Sequence, residues 1–112
     1  MDFHRDKPIY LQIADTLCES ILCGTLKAED RIPSVREYGA QIGVNPNTVM
    51  RTYEKLTDDG IIYNKRGIGY FVADDARDTV LATQRKDFIE KEVPAIRQRM
   101  QLLGLDSSIF NE

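Results

Sequence analysis

The stretch from Ser34 to Pro46 constrains the fold more than any other, because it carries two complete helix-start signals separated by one helix-stop. Ser34-Val35-Arg36-Glu37 reads as a capping box, with a hydroxyl to accept the N3 amide and a carboxylate to reach back. Asn45-Pro46 pairs a strong N-cap residue with proline at the first helical position, where the missing N–H costs nothing. Between them Gly43 ends the first helix. Two helices joined by Gly43-Val44-Asn45 cannot continue as one rod and must cross, which is the geometry of a helix-turn-helix. The first turns Val35, Tyr38 and Ile42 inward; the second turns Val49, Tyr53 and Leu56 inward and ends at Gly60.

The flanks complete the pattern. Upstream, Ile9, Ile13, Leu17 and Ile21 recur every fourth residue with Ala14 and Leu22 beside them, between Pro8 and Gly24, which predicts an amphipathic helix. Residues 24–33 read as a polar loop that docks Leu26 and Ile32. Downstream, Ile61-Ile62-Tyr63 and Tyr70-Phe71-Val72-Ala73 favour β structure and are separated by the basic, glycine-rich Asn64-Lys65-Arg66-Gly67-Ile68-Gly69, so they predict a hairpin. Helix, short helix, turn, helix and hairpin is the order of a winged helix-turn-helix. In that architecture the helix after the turn enters a major groove and the hairpin touches the flanking backbone. The fold class is therefore mainly α with a small β-hairpin.

After the charged junction Asp74-Asp75-Ala76-Arg77-Asp78, Ile89, Val93, Ile96, Met100 and Leu103 fall at alternating spacings of four and three, one apolar seam along a helix. Pro94 kinks that helix near Ile89 to Glu90 or restarts it at Val93. Gly104 stops it, and Asp106-Ser107-Ser108 can cap one further short turn. The expected division is residues 1–74 as the winged helix and residues 75–112 as a helical tail. The seam predicts a dimerisation surface, the alternative being a tail that folds back on its own domain.

Composition narrows the function. A chain of 112 residues with a net charge of −3 and a pI near 5.2 argues against a broadly basic nucleic-acid surface. Residues 31–73 differ: six basic side chains, Arg31, Arg36, Arg51, Lys55, Lys65 and Arg66, face four acidic ones, Glu37, Glu54, Asp58 and Asp59, a local net of +2. Cys18 and Cys23 lie inside an apolar-periodic segment and read as buried or half-buried thiols of a reducing cytosol. His4 has no partner of metal-ligand spacing, so no metal is implied. Ser34 has no histidine in a catalytic arrangement, and phosphate-loop and dinucleotide fingerprints are absent, so neither an enzyme nor a cofactor is expected. An N-terminal signal core and an 18-residue apolar run are also lacking, so the expectation is a cytoplasmic protein without a membrane partner.

Pro8-Ile9-Tyr10-Leu11-Gln12-Ile13 resembles the opening of the GntR family of bacterial transcription regulators. Arg31-Ile32-Pro33-Ser34-Val35-Arg36-Glu37, Ile42-Gly43-Val44-Asn45-Pro46-Asn47-Thr48-Val49 and Arg66-Gly67-Ile68-Gly69-Tyr70-Phe71-Val72 continue the match in order and spacing. With a tail of only about 39 residues after Ala73, the chain is similar to the YtrA-like subfamily, whose short tail dimerises. The resemblance implies a homodimeric repressor on a pseudo-palindromic, double-stranded operator. It implies operator contacts from Ser34, Arg36, Asn47 and Thr48 and a wing shaped by Gly67 and Gly69. The residue types on the outer face and the hairpin tip add Asn45, Arg51, Lys65 and Arg66 to the candidates. The sequence names no small-molecule effector. It departs from the family at Met50, where relatives carry a basic residue, and at Tyr38-Gly39 in place of Leu-Ala, which costs that helix roughly 1 kcal/mol at the glycine. Each candidate also has a structural reading. Ser34 and Asn45 cap helices in any protein, Arg36 and Arg51 can pair with Glu37 or Glu54, and Lys65-Arg66-Gly67 can be a plain polar turn. A winged helix that binds protein rather than DNA is the rival class.

Overall fold

The computed structural model describes residues 6–111, so His4 and the chain ends lie outside the described residues. Helix α1 spans Ile9–Leu22, strand β1 Arg31–Ile32, α2 Val35–Ile42, α3 Pro46–Asp58, β2 Ile62–Lys65 and β3 Gly69–Val72. The tail holds α4 (Ala76–Asp87), a π-helical turn Phe88–Glu92, α5 (Val93–Leu102) and a 3₁₀ turn Ser107–Phe110. The chain divides into two compact units, Met1–Val80 and Leu81–Glu112.

In the first unit, Ile13, Ala14, Leu17, Cys18 and Ile21 of α1 pack against the wholly buried Val49, Tyr53 and Leu56 of α3. Ile32, Ile61, Ile62 and Val72 close the core from the sheet side, and Ala76 and Val80 of α4 join it. Two polar groups inside this core are satisfied. Thr52 Oγ1 donates to the Tyr10 carbonyl at 2.7 Å, and the Tyr53 hydroxyl donates to the Pro33 carbonyl at 2.7 Å. The first bond ties α3 to α1 and the second ties it to the residue that leads into α2, so α3 is held from both sides.

Several expectations are corrected. The segment 24–33 is not loop throughout, because Arg31 and Ile32 form an edge strand antiparallel to β3, pairing with Phe71 and Tyr70. The hairpin is therefore part of a three-stranded sheet in the order β1-β3-β2. Ile9 and Ile42 follow the helical period but are 54 % and 39 % exposed, since each sits on a terminal turn beyond the reach of the neighbouring helix. Cys18 is buried, but Cys23, just past the end of α1, is exposed. Burial pushes the Cys18 thiol up to about 11.

In the second unit the helical run passes through the π turn and resumes at Val93, with Pro94 in the first turn of α5. The π turn accommodates the backbone bond that the proline nitrogen cannot make. Gly104 then adopts positive φ, and Asp106 Oδ1 accepts the Ser108 N–H at 2.9 Å to cap the last turn.

Candidate nucleic-acid interface

The α2–turn–α3 motif is set by its caps. Ser34 Oγ accepts the Glu37 N–H at 3.1 Å, and Glu37 Oε1 accepts the Ser34 N–H at 3.0 Å. The Ser34 backbone and hydroxyl hold the Glu37 carboxyl below its ordinary range, and the Arg31 charge adds to this, so the box stays ionised. Gly43 turns the chain with φ +69, and the Val44 N–H returns to the Gly39 carbonyl at 2.9 Å. Gly39 has a packing role here: a Cβ on it would lie 2.7 Å from the Val44 carbonyl oxygen, so the bare backbone is what lets the turn fold against α2.

The two helix N-termini are not equivalent. The start of α3 does not offer free backbone N–H groups. Pro46 has none, the Asn47 N–H goes to Asn45 Oδ1 at 2.8 Å, and the Thr48 and Val49 N–H groups go to the Asn45 carbonyl. At α2, by contrast, the N–H groups of Val35 and Arg36 have no acceptor among the described residues. The free donors therefore sit beside Arg36, on the helix before the turn.

Around α3, the buried stripe of Val49, Thr52, Tyr53 and Leu56 leaves Asn47, Arg51, Glu54 and Asp58 facing outward one helical turn apart. Thr48 is half-buried at the edge. Neither Arg36 nor Arg51 has a carboxylate at ion-pair distance among the described residues, whereas Lys55 pairs with Asp59 at 2.8 Å. Arg51 lies instead over the Tyr10 ring, its Cζ 4.2 Å from the centroid. Met50, outside the candidate set, is 40 % exposed on the same side. An apolar side chain there suits contact with a thymine methyl group rather than a hydrogen bond.

The wing is a β-turn in which the Ile68 N–H returns to the Lys65 carbonyl and Gly67 takes φ +79, a left-handed conformation that favours glycine. Lys65, Arg66 and Gly67 are exposed at its tip, with Lys65 Nζ 4.7 Å from the Phe71 ring centroid. Of the seam residues in the second unit, Ile89, Ile96 and Leu103 are exposed and Val93 and Met100 half-buried.

Comparison with known proteins adds to this geometry. The family described as bacterial regulatory proteins, gntR family, matches residues 9–72. The HTH-type transcriptional regulator YhcF of Bacillus subtilis (strain 168) is 40% identical over 104 residues, covering 92% of this chain and 84% of YhcF. The HTH-type transcriptional repressor YtrA of the same organism is 34% identical over 107 residues, covering 96% of this chain and 76% of YtrA. The crystal structure of a GntR-family transcriptional regulator from Bacteroides thetaiotaomicron superposes with a TM-score of 0.76 at 45% identity, covering 92% of this chain and 89% of that one.

Proposed function

This chain belongs to the GntR family of bacterial regulatory proteins, and from that premise we propose that it is a homodimeric repressor whose two recognition helices dock on a pseudo-palindromic operator. One observation carries the reading. Arg36 and Arg51 are exposed on the α2–turn–α3 motif without carboxylate partners among the described residues, and exposed Asn47 shares with Arg51 the face of α3 opposite the buried Val49, Tyr53 and Leu56. A rigid helix thus presents a guanidinium and a carboxamide, the groups that read base edges.

Residues 1–74 are the DNA-binding part and residues 75–112 the dimerisation tail. Asn47, Thr48 and Arg51 face the major groove. Ser34 and Arg36, with the free N–H groups of Val35 and Arg36, hold a phosphate at the start of α2. Asn45 caps α3 through its carbonyl oxygens and has its amide protons left to donate. Lys65, Arg66 and Gly67 follow the backbone from the wing. The seam Ile89, Val93, Ile96, Met100 and Leu103 buries against its copy in a two-fold dimer, which sets half-sites about one turn, roughly 10 bp, apart. The work of such a protein is in the cytoplasm; no helix among the described residues is long and apolar enough to cross a membrane.

The test is an anisotropy titration of the full chain against the duplex upstream of its own gene, beside a mixed-sequence duplex. Tighter binding to the upstream DNA is the expected result. Absence of binding to either at low salt would overturn the proposal and leave the protein-binding rival standing.

A further inference from the structure

The strand register gathers two cations that lie far apart in the sequence. Arg31 and Tyr63 both pair with Phe71, and Lys65 pairs with Gly69. Cross-strand partners share a face, and alternate residues of one strand do too. Arg31, Tyr63, Lys65, Gly69 and Phe71 therefore lie on one face of the sheet, while Ile32, Ile62 and Val72 point into the core from the other. On that outer face the Arg31 guanidinium rests over Gly69, its Nε 3.1 Å and its Nη2 3.4 Å from where a Cβ would sit. Lys65, from the opposite neighbouring strand, reaches over Phe71. One cation thus lies over Gly69 and the other over Phe71, on the same face of β3.

Neither has a carboxylate at ion-pair distance among the described residues. The Glu29 carboxylate, which comes to this face, is engaged by the Tyr63 hydroxyl. Held in no ion pair among the described residues, the two cations of this face are both open to an anion. A guanidinium fork beside an ammonium suits phosphate oxygens. Arg31 stands three residues before Ser34, the N-cap of α2, whose first N–H groups are free.

We infer that Arg31, over Gly69, and Lys65, over Phe71, form a phosphate clamp on the outer face of the sheet, gripping the DNA backbone beside the groove that α3 enters. The inference deepens the DNA-binding reading and rests on it. Arg31, outside the candidate set read from the sequence, becomes an affinity-setting residue, and the clamp carries no sequence preference of its own.

The experiment uses full-length wild type, Arg31→Gln, Lys65→Gln, the double variant and Arg31→Lys, each titrated over a range of KCl against the upstream duplex and a mixed-sequence duplex, with thermal melting alongside. Each Gln variant should weaken both duplexes alike, by roughly three- to tenfold, and lower the salt slope by about 1. The double variant should lower it by about 2, and Arg31→Lys should keep the wild-type slope. A wild-type slope in the double variant would overturn the clamp, as would a loss confined to the upstream duplex, or a lowered melting temperature with no change in slope. Wild type that binds neither duplex overturns the DNA-binding reading itself and the clamp with it.

Discussion

The hydroxyl of Tyr53 offers a test of how α3 is held, because one atom can be deleted without changing the packing. Its ring is wholly buried, in edge-to-face contact with Tyr70 at 4.9 Å between centroids, and its hydroxyl donates to the Pro33 carbonyl at 2.7 Å. Tyr53→Phe keeps the ring and strands that carbonyl. A neutral hydrogen bond is worth about 0.5–1.5 kcal/mol net, and an unsatisfied buried acceptor costs about 1–3 kcal/mol. Pro33 is only half-buried, so water recovers part of the loss and the expected cost is about 1–2 kcal/mol at neutral pH. For a unit of this size that lowers Tm by about 4–15 °C. The hydroxyl also has a pH signature, since burial, assisted by the nearby Tyr38 and Tyr70, raises the Tyr53 phenol above its ordinary value of 10.0. The native state then keeps the proton where the unfolded chain loses it. This stability is fully present below pH 10 and falls as pH rises beyond it, by about 1.4 kcal/mol at pH 11. The Phe variant lacks this slope, so the gap between the two proteins should close by about that amount. Urea unfolding at pH 7 and pH 11 measures both numbers, with Tyr38→Phe, half-buried and without a hydrogen bond from its hydroxyl among the described residues, as a control at pH 7 expected to change stability by less than about 0.5 kcal/mol. Equal stability of Tyr53→Phe and wild type at pH 7, or a gap that does not narrow at pH 11, refutes the reasoning.

Other outcomes follow from single features. Arg36→Ala should weaken binding to the upstream duplex by about 1–3 kcal/mol without lowering Tm, read by anisotropy and melting; unchanged affinity in a folded Arg36→Ala, Arg51→Ala double variant would refute the assignment. Asn45→Ala, which returns the Asn47 N–H to water, should cost about 1 kcal/mol in chemical unfolding, and Asn45→Asp should cost little. Thiol reagents at pH 8 should modify Cys23 at once and Cys18 only at the rate of unfolding, since one is exposed and the other buried. Ile96→Glu should convert a sedimenting dimer to monomer while leaving the melting of the first unit unchanged; a dimer that persists would place the contact elsewhere.

Legibility in the sequence tracked the range of the interactions involved. Helices α2 and α3 were readable because capping is local: Ser34, Glu37, Asn45 and Pro46 act within one turn of themselves. The buried Val49, Tyr53 and Leu56 followed from period alone. The lack of spare N–H groups at α3 was not read from the sequence, although an asparagine cap followed by proline takes them up. Strand β1 was not readable, because a two-residue strand has no period and exists only through pairing with β3. Ile9, Ile42 and Cys23 show the opposite failure, a period that outruns the helix packed against it. Gly39 was read as a cost to α2, whereas its value lies in the approach of Val44, a residue beyond the turn. The meeting of Arg31 with Lys65 depends on register across three strands, which no local pattern encodes.

The distribution of charge along α3 limits how it can dock. Its outward face carries Asn47 and Arg51 in the first half and Glu54 and Asp58 in the second, while the one cation of the last turn, Lys55, is neutralised by Asp59. Phosphates are repelled by the second half, so the helix can enter a groove only by its N-terminal turns. Yet those turns have no free backbone N–H to hold a phosphate. On the proposed reading, anchoring on the DNA backbone comes from outside α3: from the open N-terminus of α2 with Arg36, and from the sheet with Arg31 and Lys65. With so few contacts per subunit and an acidic chain overall, the electrostatic share of affinity is small. In the proposed dimer, tight binding would come from engaging both half-sites at once, because a second tethered contact adds affinity through effective concentration without new charge. An exposed apolar seam in so small a chain is consistent with that arrangement.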